Sequence, residues 1–127
     1  MTDVRTTRTA SPRVTGPRSA PGSIETDPTA PGVLRLRGEV DGETLGRFCA
    51  RLSGRADLGA AAGAIAASGV RELDLADVTF ADSALVNLTC AVHRGTAPGR
   101  VRVRGATGAV RRLFALTGTD PFVDLRS

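Results

Sequence analysis

The stretch Val70-Arg-Glu-Leu-Asp-Leu-Ala-Asp-Val-Thr-Phe-Ala-Asp-Ser-Ala-Leu-Val-Asn-Leu-Thr-Cys90 decides how this sequence folds. It predicts a buried strand, a short loop and a helix that begins at Asp82-Ser83. In the strand, Leu73 and Leu75 alternate with acidic residues, which is the period of a pleated chain. A serine in the first turn of a helix, just past a strand, is expected to serve either a phosphate or a nucleophilic reaction.

The helix that follows has two distinct faces at about 100° per residue. Leu85, Leu88 and Val92 fall on one side and form a core stripe. The opposite side carries Ser83, Asn87, Cys90 and Arg94. Ser83 therefore faces away from the core, at the end where unpaired backbone N–H groups and the positive end of the helix dipole lie, with Asp82 as the natural N-cap.

A nucleophilic role for Ser83 is disfavoured, because a serine nucleophile needs a base within hydrogen-bonding reach. The only histidine, His93, lies ten residues further along the same helix, roughly 15 Å away at about 1.5 Å per residue. The pattern G-x-S-x-G is also absent, since Ala81 and Leu85 occupy its glycine positions. We expect no catalytic residue and no enzymatic activity.

The segment before the central stretch predicts a strand and a helix. Val33 to Arg37 alternates apolar and charged residues, Gly38 ends that strand, and residues 39–42 follow as a turn. Asp41 or Thr44 can cap the next helix, which breaks near 53–54. Its apolar positions at i, i+3, i+4 and i+7 are Leu45, Phe48, Cys49 and Leu52. Residues 55–69 are rich in alanine but contain glycines, so the pattern leaves open whether they form a second helix or a loop.

The segment after it repeats the alternation of strand and helix. Residues 100–104 predict a third strand, Thr107 caps a helix that stops at Gly118, and residues 120–125 form a short extended piece. The helix from Ser83 is expected to run to about Arg94 and to end at Gly95. This order predicts an α/β fold with right-handed crossovers: a single small domain with a mixed sheet of about four strands flanked by helices.

The first 31 residues are poor in aliphatic side chains and rich in Thr, Ser, Pro, Gly and Arg. Such a composition buries too little surface to offset its ordering entropy, so residues 1–31 are predicted to be a disordered tail and residues 32–127 the domain. The segment Ser23-Ile24-Glu25-Thr26 is compatible with a short strand.

Composition excludes several classes of function. All 17 basic residues are arginine, the net charge is only +4 and aromatics make up 3% of the chain, which argues for a compositional bias rather than a nucleic-acid surface. Two distant cysteines and one histidine offer no zinc set, so no metal or cofactor is expected. No apolar run approaches a membrane span, and the N-terminus has no secretory signal, so a cytoplasmic protein with reduced thiols is expected.

Three ordered motifs resemble those of a STAS domain. They are Leu34-Arg-Leu-Arg-Gly-Glu-Val-Asp41, then the segment from Leu73 to Ser83, then the segment from Ala109 to Gly118. Together they cover roughly residues 33–125 and are most similar to the bacterial anti-sigma factor antagonists. The resemblance implies phosphorylation at Ser83, the serine directly after the aspartate. It also implies a partner-binding surface that includes Glu39, Asp41, Asp82, Ser83 and Asn87.

The function that the resemblance implies is partner switching in stress response. A monomeric antagonist binds an anti-sigma factor of the serine-kinase type, phosphorylation at Ser83 ends the complex, and a phosphatase resets it, with no direct contact to nucleic acid or membrane. The alternative is a STAS scaffold or sensor module that binds a protein or small ligand without phosphorylation. Ala84-Leu85, where the antagonists usually carry Ser or Thr and then Gly, favours that alternative.

Overall fold

A five-stranded sheet forms the centre of the protein, whose structure is a computed structural model that describes residues 21–126. The strands are numbered in chain order and also lie side by side in that order. The first pair is antiparallel and the other three pairs are parallel, so the fold is a small α/β domain with a mixed sheet. The strands are β1 (Ser23–Thr26), β2 (Val33–Val40), β3 (Glu72–Ala81), β4 (Val101–Arg104) and β5 (Val123–Arg126).

Four helices connect the parallel strands. A pair of helices joins β2 to β3, and single helices join β3 to β4 and β4 to β5. A short 3-10 turn at Asp120–Phe122 precedes β5. The helices are α1 (Gly42–Ser53), α2 (Leu58–Ala67), α3 (Ser83–Thr96) and α4 (Gly108–Leu116).

The sheet has one strand more than the four expected, because β1 lies inside the segment predicted to be a tail. Ile24 is buried in the core and pairs with Leu36 of β2. The Arg51 guanidinium of α1 donates to the Ile24 carbonyl, and Arg47 donates to the Gly22 carbonyl at 3.0 Å. One buried isoleucine and two arginine contacts therefore order a segment whose composition is otherwise polar. Residues 1–20 of the predicted tail lie outside the described residues.

Residues 55–69, left open between helix and loop, contain α2. Asp57 caps it by accepting a hydrogen bond from the Gly59 N–H at 3.0 Å. Ala61, Ala62 and Ile65 are buried, so small side chains rather than a broad apolar stripe hold the helix. Alanine favours the helix and permits close packing against α3.

The core lies on one face of the sheet, beneath the four helices. The apolar positions of β2 and β3, the predicted stripe of α3 and the inner face of α4 meet in one cluster. The largest fully buried side chains are those of Ile24, Leu34, Leu36, Ile65, Leu73, Leu75, Leu85, Leu88 and Phe114. The other face of the sheet carries charged side chains that pair across strands, such as Arg35 with Asp74 and Arg104 with Glu72. A sheet with one buried and one exposed face explains the alternation of the strand sequences.

Several predicted boundaries shift. Gly38 does not end the first predicted strand, because β2 continues to Val40 through a register irregularity at Gly38, whose φ is +68°. The loop expected before Asp82 does not form either, since β3 extends to Ala81. Gly95 does not end α3, which continues to Thr96. Leu52, expected in the core, lies in the last turn of α1 and is 41% exposed, so the buried stripe of α1 ends at Cys49.

The predicted helix caps are confirmed. The caps of α1, α3 and α4 are Asp41, Asp82 and Thr107, and each side chain accepts a hydrogen bond from the first turn of its helix. Gly118, with φ of +72°, follows the end of α4. Within residues 21–126, no helix combines the length and apolarity that crossing a bilayer requires.

Candidate functional site

Two helices begin side by side at one edge of the sheet. Val40, the last residue of β2, pairs in parallel with Ala81, the last residue of β3. The next residues, Asp41 and Asp82, are the N-caps of α1 and α3. The Asp82 N–H donates to the Val40 carbonyl at 3.3 Å, which ties the two junctions together. Carboxyl ends of adjacent parallel strands are a common place for binding residues in α/β folds.

Ser83 is the first residue of α3 and is exposed. The Asp82 carboxylate accepts a hydrogen bond from the Ala84 N–H at 2.8 Å, and the Asp82 carbonyl accepts one from the Leu85 N–H at 3.0 Å. Asp82 therefore satisfies two donors of the first turn. The Ser83 hydroxyl projects to solvent from a position that this capping fixes.

The side chains after Ser83 point inward. Ala84 is 5% exposed and Leu85 is fully buried. The surface next to the serine is therefore made by other residues, among them Asn87, which is exposed one turn further along α3. The predicted placement of Ser83 and Asn87 on the solvent side of α3, opposite Leu85 and Leu88, is confirmed.

The neighbouring junction is held by its own hydrogen bonds. The Asp41 carboxylate accepts from the Thr44 N–H at 3.0 Å, and the Thr44 hydroxyl donates to the Glu39 carbonyl at 2.9 Å. Thr44 is buried, whereas Glu39 and Asp41 are half-buried. These contacts fix the backbone from Glu39 to Thr44, so the two caps form a preorganised edge.

Glu39 occupies a different part of this edge from the other predicted residues. It alternates with the buried Gly38 and Val40, so its side chain lies on the charged face of the sheet. Asn87 lies on the helical side. Of the five predicted partner-binding residues, the fold thus brings Asp41, Asp82, Ser83 and Asn87 to the helix starts and places Glu39 on the adjoining sheet face.

The edge is acidic. Glu39, Asp41 and Asp82 are joined by Glu43 in the first turn of α1. Arg47 pairs with Glu43 at 3.5 Å. A cationic partner surface would complement this edge, and further negative charge on Ser83 would add to it.

Sequence reasoning missed one exposed side chain at this site. Phe80 is 51% exposed and pairs with Glu39, so the ring lies on the charged face beside the helix starts. A continued alternation from Val78 would have placed Phe80 in the core. The register instead shifts between Gly38 and Glu39, which leaves Thr79 unopposed and turns Phe80 outward. Exposed aromatic rings are frequent anchors in protein interfaces.

Groups that could support catalysis lie elsewhere. His93, near the far end of α3, contacts the Phe122 ring at 4.8 Å between centroids. Burial raises the pKa of the Cys49 thiol, with a further contribution from Asp57. Among residues 21–126, no group of three His, Cys, Asp or Glu side chains is placed to hold a metal ion.

Comparison with solved structures identifies relatives of this fold. The structure of the Bacillus cell fate determinant SpoIIAA in the phosphorylated form has 17% sequence identity and a TM-score of 0.50, and the likeness covers 84% of this chain and 92% of that one. The structure of the anti-sigma factor antagonist SpoIIAA in its unphosphorylated form has 19% identity and a TM-score of 0.54, over 84% and 89% of the two chains. At these identities the likeness establishes the shared fold.

Comparison of the sequence itself identifies the family. No curated protein matches the chain. The family model described as "Mlab, STAS domain" matches residues 25–125, which include all five strands except the ends of β1 and β5. The resemblance seen in the three motifs is thus confirmed, and the chain belongs to the STAS domain family.

Proposed function

We propose that this protein is an anti-sigma factor antagonist that works by partner switching. Its partner is an anti-sigma factor of the serine-kinase type, which the unphosphorylated protein binds and thereby withdraws from its sigma factor. The kinase phosphorylates Ser83 and ends the complex, and a phosphatase restores it. The observation that carries this proposal is the exposed Ser83 hydroxyl at the start of α3, directly after the capping Asp82 and beside the capped start of α1.

The burial of Ala84 and Leu85 supports access to Ser83. The antagonists that this chain resembles usually carry a serine or threonine and then a glycine at these positions, which raises the question of whether a leucine obstructs the kinase. Because Leu85 is fully buried, its side chain adds no bulk to the surface around the serine. A partner can therefore approach Ser83 past Asp82 and Asn87.

The charges around Ser83 support a phosphorylation that changes the binding surface and leaves the fold of the domain unchanged. A phosphate at a helix N-terminus gains about 0.3–1 kcal/mol from the dipole and the unpaired N–H groups, so α3 is expected to tolerate it. The same phosphate adds about −1.5 to −2 charges beside Asp41, Glu43 and Asp82. The modification therefore changes the charge and bulk of the docking edge, the surface formed by Asp41, Asp82, Ser83 and Asn87 at the two helix starts, while the domain stays folded.

The comparisons also support the proposal. One of the similar structures is described as an anti-sigma factor antagonist, and SpoIIAA is described in a phosphorylated and an unphosphorylated form. A fold shared with both forms fits a domain whose architecture accommodates the modification. In this proposal the chain acts as a cytoplasmic monomer in bacteria, has no catalytic residue, cofactor or nucleic-acid contact of its own, and serves a stress response.

The experiment that tests the proposal maps phosphate transfer. The purified protein is incubated with ATP and an anti-sigma factor of the serine-kinase type from the same genome, and the product is analysed by mass spectrometry. We expect one phosphate on Ser83 and none on Ser83→Ala. If the protein gains no phosphate and Ser83→Ala binds the kinase as the unmodified protein does, the mechanism is wrong.

A matched control separates recognition of the site from modification of any exposed serine. Gly108 is the first residue of α4 and directly follows the capping Thr107, and a side chain added there meets no atom within 4 Å. The double variant Ser83→Ala, Gly108→Ser thus places a serine in a similar position on another helix start. We expect it to remain unmodified.

A second candidate function is a non-switching STAS module that binds a protein or small ligand. Ala84-Leu85 favours it, as does the match to a family model named for Mlab rather than for the antagonists. Mass spectrometry of the protein from cells with and without stress separates the two functions. Ser83 unmodified under every condition, with a partner that Ser83→Asp still binds, would replace switching by this function.

A further inference from the structure

The opposite edge of the sheet, where the parallel strands begin, holds a pocket. It lies where β3 and β4 begin and where α3 ends, and its volume is about 190 Å³, several times the roughly 30 Å³ share of a water molecule. Its lining contains three arginine residues and no acidic residue. The residues that line it are Arg71, Gly95, Thr96, Gly99, Arg100 and Arg102.

The fold holds the three arginines together. Glu72 pairs with Arg102, so Arg71 and Arg100, which directly precede β3 and β4, lie at the same end of adjacent parallel strands, one residue out of register with each other. The Arg102 N–H donates to the Arg71 carbonyl at 3.0 Å, and the Arg71 N–H donates to the Gly32 carbonyl at 2.9 Å. The backbone positions of the pocket are therefore fixed by the sheet.

The turn that closes the pocket is ordered in the same way. The Gly99 N–H donates to the Thr96 carbonyl at 2.7 Å, and the Thr96 hydroxyl lies 3.2 Å from the Gly99 carbonyl, to which it donates. A side chain at Gly95 would require α2 to shift, because an added Cβ would lie 2.4 Å from the Ala66 carbonyl oxygen. The floor of the pocket is thus backbone, and the charged groups come from Arg102 in β4 and from the residues directly before β3 and β4.

The protein neutralises only part of the positive charge in the pocket. The Asp124 carboxylate, which accepts hydrogen bonds from Arg126, also interacts electrostatically with Arg100 and Arg102. Within residues 21–126, neither Arg71 nor Arg100 forms an ion pair or a side-chain hydrogen bond. Arg102 lies 4.0 Å from Glu72, whose other oxygen is closer to Arg104, at 3.4 Å. The pocket arginines therefore share two carboxylates, Glu72 and Asp124, each of which also pairs with another arginine, so positive charge remains in excess.

We propose that this pocket binds the phosphate group of a small molecule. Guanidinium groups donate paired N–H bonds that match the oxygens of a phosphate, and three of them supply more donors than a single carboxylate ligand can use. The carbonyl end of α3 disfavours an anion, and the arginines outweigh it because they carry full charges. The site is independent of Ser83, which lies at the other end of α3, and it does not rest on the proposed function.

The test measures binding of inorganic pyrophosphate by calorimetry to the full-length protein. We expect saturable binding that Arg71→Gln and Arg100→Gln each weaken about tenfold or more, equal to about 1.4 kcal/mol per tenfold. Arg112→Gln, an exposed arginine on α4, removes the same charge elsewhere and is expected to leave the affinity unchanged. Because all of these side chains are exposed, circular dichroism is expected to show folded variants.

Two further arms define the outcome. Glycerol 3-phosphate and vesicles that contain phosphatidic acid distinguish a free phosphate ester from a lipid headgroup, and binding of either by the same arginines supports the site. Absence of saturable binding would show that the pocket holds no phosphate. Equal weakening by Arg112→Gln would show that only the net charge of the protein attracts the anion. Either result would overturn the proposal. Ser83→Ala is expected to bind pyrophosphate as the unmodified protein does, so this result is separate from the fate of partner switching.

Discussion

Gly95 lies inside α3, where replacement of a glycine by alanine ordinarily stabilises a helix by about 0.5–1 kcal/mol. The packing of α2 against α3 reverses that expectation. A Cβ built at Gly95 would lie 2.4 Å from the carbonyl oxygen of Ala66 and 3.1 Å from two more backbone atoms of that residue. A backbone cannot rotate away as a side chain can, so the two helices must move apart.

The magnitude follows from the two opposing effects. Overpacking of this kind costs about 1–3 kcal/mol, and the gain in helix propensity offsets about 0.5–1 kcal/mol of it. We therefore expect Gly95→Ala to lower the free energy of unfolding by about 1–2 kcal/mol. For a domain of this size, that corresponds to a fall in Tm of about 4–8 °C per kcal/mol.

The assay is urea denaturation followed by circular dichroism, with Gly63→Ala as the matched control. Gly63 lies within α2, is exposed, and has no atom within 4 Å of an added Cβ. That variant is expected to be more stable by about 0.5–1 kcal/mol. If Gly95→Ala were as stable as Gly63→Ala, the close contact of α2 with α3 would be refuted, and with it the packing that positions α3.

Three other predictions test individual contacts. Asp82→Ala removes the N-cap of α3 and is expected to destabilise the protein by about 1 kcal/mol in urea denaturation, whereas Asp82→Asn keeps an acceptor and is expected to cost less. Hydrogen bonds from the Thr29 hydroxyl and N–H, and then the charge of Arg35, hold the pKa of Asp27 below its usual range. This carboxylate therefore stabilises the fold above about pH 4, and the stabilisation is lost as the pH falls through the lowered pKa, so the acid limb of a stability profile is expected to be shallower in Asp27→Asn. The exposed Cys90 is expected to react with a thiol reagent in the native protein, and the buried Cys49, whose pKa burial raises, only after unfolding.

Much of the site could be predicted because local chemistry determines it. The capping by Asp41 and Asp82 depends on side chains that bond their own first turns, and the exposure of Ser83 follows from the helical period of Leu85 and Leu88. None of these features needs knowledge of a distant contact. The same holds for the three strands with clear alternation.

The features that the sequence left open, which are the short strand at Ser23–Thr26 and the helix within residues 55–69, and the exposure of Phe80, which it missed, depend on contacts between distant segments. β1 is ordered by its pairing with β2 and by arginines of α1, although its own composition is typical of a tail. Phe80 is turned outward by a shift in register against β2, which no local pattern records. The alanine-rich α2 gains its stability from packing on α3 rather than from an apolar stripe of its own. In each case the structure of the segment is determined by contacts with residues that are distant in the sequence.

Phe80 adds an exposed aromatic side chain to the docking edge. Its half-exposed ring beside Glu39 lies next to the two helix starts, where an aromatic contact would complement the acidic groups. A partner that covers both would bury the ring and the Ser83 hydroxyl together. A phosphate on Ser83 would then weaken the binding of this partner, whereas burial of the Phe80 ring would strengthen it.

The most direct test of the central claim compares the affinity of the anti-sigma factor for the unmodified protein and for the protein phosphorylated on Ser83. The measurement is titration calorimetry at one salt concentration, with Ser83→Ala treated with kinase and ATP as the control. We predict that phosphorylation weakens binding by about tenfold or more, which corresponds to about 1.4 kcal/mol, while the treated control keeps the affinity of unmodified Ser83→Ala. Equal affinity of the phosphorylated and unmodified proteins would contradict partner switching at Ser83.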